Sequence, residues 1–280
     1  MTVSDFDPAV LQRCFNVAPI RFRHRLCDHP LLQTDALFAL LRRLPPAQVE
    51  LNAADVNVGE LATVKPSGGL TPEETLQHIE HCKSWLGLKQ LASVPSYRAL
   101  LEQILGELRP AIDRIEPGMF GRQGYLFISS PRAVVPYHLD PEHNFLFQLR
   151  GRKRVTVFDK ADRTIVTEGD LERHYATGNR RLLCPSEYDV RARVFELAPG
   201  DVLHVPISAP HHVRNRDEVN VSLSVTFRTP AGDRRENLYV VNHALRRLGL
   251  SPTPVGANPK IDALKLGMYQ AGRTLRRLGG

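Results

Sequence analysis

Short antiparallel strands closed into a sandwich or barrel, with helices before and after them, are what this sequence predicts, and three observations predict it. Val219, Val221, Leu223, Val225 and Phe227 alternate with Asn220, Ser222, Ser224 and Thr226, which gives a strand one apolar and one small polar face. Other short runs rich in β-branched and aromatic residues follow one another from about residue 121, separated by turn residues. No G-x-G-x-x-G, Walker A or G-x-S-x-G sequence is present, so a nucleotide-binding or hydrolase sheet of alternating strands and helices lacks its signature.

The first third of the chain reads as helical. Residues 34–43 carry apolar positions at helical spacing. Thr71-Pro72-Glu73-Glu74 forms a capping box with proline at the first helical position, opening a helix through about Trp85. A further helix is expected from Pro95 to about Arg109, where Pro110 interrupts or ends it. The stretch 65–72 is a loop by composition. Strand candidates then follow at 125–129, 143–149 and 154–158, the last two flanking Arg150-Gly151-Arg152-Lys153 as a hairpin. Residues 193–197 lead through the turn Ala198-Pro199-Gly200-Asp201 into 202–206. Helices return at 233–247 and 262–277. The predicted organisation is a mostly helical region over 1–120 packing on the core, a β core over 121–230 and a helical extension over 231–280.

The 280 residues suffice for a sizeable core, and a 42% hydrophobic share with 24% charge is that of a globular protein. No apolar run approaches the roughly 20 residues that span a bilayer. The first residues lack a basic segment followed by an apolar one, so a secretory signal is not expected and the location expected is cytoplasmic. Cys14, Cys27, Cys82 and Cys184 are scattered without a C-x-x-C pair and are expected to be reduced and structural. The net charge is +7. Only seven of the 37 basic residues are lysine, a bias expected of a GC-rich bacterial genome. Apart from pairs such as Arg42-Arg43, Arg180-Arg181, Arg234-Arg235 and Arg276-Arg277, they are spread along the chain as solvated charge is. No helix-turn-helix candidate accompanies them, which argues against a nucleic-acid partner.

Val134-Val135-Pro136-Tyr137-His138-Leu139-Asp140 carries the chemistry. In an extended chain His138 and Asp140 project on the same side, and two histidines with one carboxylate on a single face hold non-heme Fe(II) with open positions left over. H-x-D alone also occurs as a loop hydrogen bond, so a third ligand is needed. The candidates are His211 and His212, of which one can point inward while the other lies beside the site or on the surface, and His204, which fits better as a packed strand residue. Lys153 and Lys160 are the only lysines between Gln90 and Pro259. An inward Lys153 would need an anion to neutralise it, and the distal carboxylate of 2-oxoglutarate suits it. The competing reading places it in a solvated Arg152-Lys153-Arg154 cluster.

Taken together, these residues resemble the Jumonji-C-like, or cupin-like, Fe(II)- and 2-oxoglutarate-dependent oxygenases. The resemblance spans about 125–227 and is carried by His138-x-Asp140, Asn144, Gln148, Gly151-x-Lys153, Pro199-Gly200-Asp201-Val202-Leu203-x-Val205-Pro206 and His211. The His24 to Leu31 and Trp85 to Lys89 segments also look like those of bacterial cupin-like members. It implies a mainly β fold with a double-stranded β-helix (cupin or jelly-roll) core. It also implies His138, Asp140 and His211 as iron ligands, Lys153 against the distal carboxylate of 2-oxoglutarate, and Asn144 beside it. Dioxygen would be the second co-substrate, and the substrate a peptide, a protein side chain or a small molecule. A homodimer through the C-terminal helices, which carry Val240, Val241, Ala244 and Leu245 as an apolar stripe, is the assembly it implies. Three positions depart from the pattern. Val135 stands where relatives often have threonine, Thr226 where they often have asparagine near the metal, and Ala209-Pro210 where an aromatic pair often precedes the second histidine. Tyr125 is a further candidate to meet the co-substrate carboxylate. The competing function is a non-enzymatic metal-binding sensor or regulator on the same barrel.

Overall fold

The computed structural model describes residues 4–58, 69–179, 182 and 190–278. Its early strands are β1 (Ser4–Asp5), β2 (Ile20–His24), β3 (Val49–Ala53), β4 (Ser84–Leu88) and β5 (Phe120–Ser129). Then come β6 (Val134–His138), β7 (His143–Arg150), β8 (Lys153–Val157), β9 (Arg193–Leu197), β10 (Asp201–Val205), β11 (His211–Asn215) and β12 (Asn220–Arg228). The helices are α1 (Pro8–Cys14), α2 (Thr34–Arg43), α3 (Pro72–Gln77), α4 (Pro95–Ile112), α5 (Glu168–Thr177), α6 (Pro230–Arg247) and α7 (Pro259–Leu278). None is long and apolar enough, among the described residues, to cross a membrane.

The strands form two antiparallel sheets, one in the order β1-β2-β10-β7-β12-β5-β4-β3 and one in the order β6-β11-β8-β9. One cavity is lined by both, giving the double-stranded β-helix core. β12 lies between β5 and β7 and shows why this arrangement forms. Val221, Leu223, Val225 and Phe227 are at most 2% exposed and join the main apolar cluster with Phe145, Phe147 and the α4 residues Ile104 and Leu108. Ser224 and Thr226, on the alternate positions, face the cavity. Completely burying each large aliphatic or aromatic side chain is worth roughly 1.5–3 kcal/mol, so slipping the register by one residue would forfeit the whole face.

Four strands come from the first third of the chain, which was expected to be mostly helical. The helix opened at Thr71 has its capping box but ends at Gln77. Ser84–Leu88 is a strand paired with β3 and β5, placing Leu86 and Leu88 fully in the core; sheet pairing and burial prevail there over helical continuation. Helix α4 runs past Pro110 to Ile112, with Ala111 and Ile112 buried. A proline in the last turn forfeits one backbone hydrogen bond, and the burial offsets it. The expected hairpin around Gly151 does not form: β7 and β8 are in different sheets, and the turn is a corner between them. Gly151 adopts φ +70°, and a Cβ there would come 2.3 Å from the Val219 carbonyl oxygen. The Pro199-Gly200-Asp201 turn places the buried Asp201 carboxylate against the Ala198 N–H and the Arg21 and Arg23 guanidinium groups, tying β2 to β10. Cys14, Cys27 and Cys82 are free thiols. Cys184, Arg180-Arg181 and residues 65–68 of the expected loop lie outside the described residues.

On the core side of β7, a buried polar cluster joins distant segments. Glu116 accepts from Asn16 Nδ2 (2.6 Å), Thr229 Oγ1 (2.8 Å) and His143 Nε2 (3.0 Å), and Lys160 Nζ donates to Asn16 Oδ1 at 2.7 Å. Burial alone would raise the Glu116 pKa, but the hydrogen bond and charge of His143, with the hydrogen bonds from Asn16 and Thr229, outweigh it and hold the carboxyl at about 2. Burial pushes the His143 pKa down, against the opposing pull of the Glu116 carboxylate.

Two outcomes follow for stability. Gly151→Ala should lower unfolding free energy by roughly 2 kcal/mol or more, measured by urea denaturation. A carboxyl with a depressed folded pKa contributes stability that is complete above its unfolded value and lost as pH falls toward the folded one. Stability should therefore drop between pH 4.5 and about 2, and that part of the drop should be absent in Glu116→Gln.

Candidate metal centre

Strand pairing assembles the site. His138 ends β6, His211 begins β11, and the two are direct register partners in the smaller sheet, although 73 residues apart in the chain. Asp140 lies just past β6, where its carbonyl accepts from the Ser208 N–H at 3.0 Å. One ligand atom from each of His138, Asp140 and His211 falls within 4.8 Å of the others. His138 Nε2 is 3.9 Å from Asp140 Oδ1, and His211 Nε2 is 3.8 Å from Asp140 Oδ2.

The chemistry of the donors suits a metal ion. His138 Nδ1 is 2.7 Å from the Pro136 carbonyl oxygen and His211 Nδ1 is 2.9 Å from that of Ala209. A carbonyl can only accept, so both Nδ1 atoms carry a proton, which leaves each Nε2 as the ring atom turned toward the Asp140 carboxylate and able to bind a metal. Asn144 Nδ2 donates to Asp140 Oδ2 at 3.0 Å, and Ser224 Oγ donates to Asn144 Oδ1 at 2.7 Å. This chain holds the carboxylate in place and leaves Oδ1 clear of it. Two neutral imidazoles and one carboxylate on one side of a cavity are the donor set of a divalent transition metal with open positions.

Lys153 parts from its arginine neighbours: Arg152 and Arg154 are exposed, whereas Lys153 is 5% exposed with its side chain in the cavity. Its Nζ donates to Ser222 Oγ at 2.6 Å, and among the described residues no carboxylate forms an ion pair with it. Burial pushes its pKa down to about 7. Thr226 Oγ1 is buried without a hydrogen-bond partner among the described residues, and Tyr125 lines the same cavity. A cation and a hydroxyl awaiting an acceptor, beside a metal donor set, fit an anionic chelator.

The other histidines are accounted for. His212 turns to the opposite side of β11 from His211 and is buried near Phe158, rather than beside the ligands or on the surface. His204 is fully buried against the rings of Phe15 and Phe145, and burial pushes its pKa down to about 3. The cavity measures about 600 Å³ and extends outward to Asn52, Trp85 and Phe127, the last two in edge-on contact at 6.0 Å. Sequence reasoning did not single out Ser222 and Ser224; the small polar face of 219–227 was their signal.

Residues 101–233 match the family of the cupin-like domain. A 103-residue stretch is 35% identical to Jumonji C domain-containing protein 5 of Drosophila melanogaster, covering 34% of this chain and about a quarter (24%) of that protein's length. Among solved structures, E. coli ycfD superposes over 97% of this chain and 69% of its own, with a TM-score of 0.55 and 19% identity. YcfD solved as a ribosomal oxygenase with cobalt and 2-oxoglutarate matches 95% of this chain and 65% of its own, at a TM-score of 0.51 and 20% identity. At these identities the structural likeness speaks for the fold alone, a cupin-like fold shared with YcfD.

Asp140→Ala should weaken binding of Co(II), followed by its visible absorption and by calorimetry, by at least about a hundredfold, while Asn144→Ala costs roughly ten- to a hundredfold by freeing the carboxylate.

Proposed function

We propose that this protein is an Fe(II)- and 2-oxoglutarate-dependent oxygenase that hydroxylates a C–H bond of a substrate presented at the outer end of the cavity. One observation carries the reading: the His138, Asp140 and His211 donor set shares its cavity with a buried lysine that has no carboxylate partner among the described residues. When bound, Fe(II) with 2-oxoglutarate and dioxygen supplies the oxidising chemistry, one oxygen atom going to the substrate and the other to succinate as CO₂ is released.

Each residue has a defined part in this reading. The Nε2 atoms of His138 and His211, with the Asp140 carboxylate, hold the iron. Asn144 and Ser224 keep the carboxylate oriented. Lys153 binds the distal carboxylate of 2-oxoglutarate, and the incoming anion restores the charged form that burial disfavours. Thr226 and Tyr125 offer hydroxyls to the same co-substrate. Trp85 and Phe127, near the outer end, hold the substrate and keep water from the reacting bond. A peptide or protein side chain is the favoured substrate class, because the structurally similar YcfD is described as a ribosomal oxygenase and the net charge of +7 suits an acidic partner.

The test is succinate formation from 2-oxoglutarate by anaerobically Fe(II)-loaded protein after oxygen is admitted. Slow turnover without substrate is expected, absent in His138→Ala and His211→Ala. Lys153→Ala should raise the 2-oxoglutarate concentration required by at least about thirtyfold, the cost of losing one partner of a buried charge pair. Metal binding without 2-oxoglutarate binding would instead identify a metal-dependent sensor.

A further inference from the structure

We infer that Ser222 and Gln148 are positioning residues for Lys153, forming a one-directional hydrogen-bond relay that aims two of its N–H bonds at the distal carboxylate of the co-substrate. This rests on the oxygenase reading and extends it to two residues that touch neither metal nor co-substrate.

The direction of each link is forced. Gln148 Nε2 lies 2.7 Å from the Arg150 carbonyl oxygen, 2.8 Å from that of Gly151 and 2.8 Å from Asn220 Oδ1. All three are acceptors; Asn220 Oδ1 is assigned as such because its Nδ2 donates to the Arg152 and Glu218 carbonyls. The amide therefore cannot be reversed, and Oε1 must face Ser222 Oγ, 2.8 Å away. That oxygen only accepts, so the single Ser222 proton is committed to it. Ser222 Oγ is left with lone pairs alone toward Lys153 Nζ, at 2.6 Å. An ammonium has three protons. One goes to Ser222 and two remain for the cavity, matching the two oxygens of a carboxylate.

The relay is also mechanically anchored. Gln148, Ser222 and Asn220 are fully buried, so water cannot substitute for any link. The carbonyls that orient Gln148 belong to the Gly151 corner, where φ is +70° and the Val219 carbonyl leaves no room for a side chain. Lys153 follows that corner by two residues. The corner sets where the lysine backbone emerges, and Gln148 passes the same constraint through Ser222 to the far end of its side chain.

The inference separates from a general structural role because it concerns only the distal end of the ligand. Binding of 2-oxoglutarate and of 2-oxobutyrate, which keeps the chelating keto-acid end but lacks the distal carboxylate, is measured by calorimetry on Mn(II)-loaded full-length protein and its Ser222→Ala variant. The variant should bind 2-oxoglutarate roughly tenfold more weakly, as expected for loss of a hydrogen bond to a charged group, with 2-oxobutyrate affinity unchanged. Equal weakening toward both acids, or none toward 2-oxoglutarate, overturns the relay while leaving the oxygenase reading standing. Wild-type protein that fails to prefer 2-oxoglutarate over 2-oxobutyrate overturns the assigned role of Lys153, and the relay with it.

Discussion

Everything in this molecule depends on one strand having two incompatible faces. β12 presents Val221, Leu223, Val225 and Phe227 to the apolar core and Ser222, Ser224 and Thr226 to the cavity side, at the centre of the larger sheet. Burial of the first set fixes the register to the residue. Once the register is fixed, each polar side chain falls opposite a particular partner: Thr226 beside Asn144 on β7, Ser224 beside Tyr125 on β5. The hydrophobic effect is non-directional, yet here it places hydroxyl groups to within a hydrogen-bond length of Asn144 and Lys153.

The cavity that results is polar but economical. Ser222 meets Lys153, and Ser224 meets Asn144 and through it Asp140. Buried polar groups without partners are costly, and Thr226 Oγ1, which lacks one among the described residues, lines the cavity. The far side of the same sheet uses another solution. Glu116, Asn16, His143, Thr229 and Lys160 are joined by hydrogen bonds that couple the N-terminal segment to the start of α6. One network joins separate segments of the chain, and the other borders the cavity.

Much of this was legible in the residues. The alternation over 219–227 is the strongest local signal in the chain, and the H-x-D pair with a later histidine named three side chains that β6 and β11 bring together. Other features were hidden for physical reasons. Trp85 and Leu86 follow a well-capped helix start, and nothing local says that the helix stops at Gln77; the stop is decided by pairing with β5, more than thirty residues downstream. The Gly151 turn has hairpin composition, but whether two strands pair or part at a corner depends on sheets not yet formed. Lys153 stood out as one of two lysines in a long arginine-rich stretch, and the backbone then turned it inward while Arg152 and Arg154 stayed exposed. Glu116 and His143 gave no signal at all, since their partnership spans three separate segments.

The larger sheet also interleaves early and late parts of the chain. β2 hydrogen-bonds to β10, with Phe22 opposite Val202 and Arg23 opposite Asp201, so an N-terminal strand has no neighbour on that side until some 180 residues later. During synthesis at about 5–20 residues per second, that interval is on the order of 10–40 s. Throughout it the Ile20–His24 segment leaves the ribosome with an apolar face and an unpaired edge, the condition under which strands find wrong partners. The edge of β2 that faces β10 is therefore closed only after most of this chain has been made.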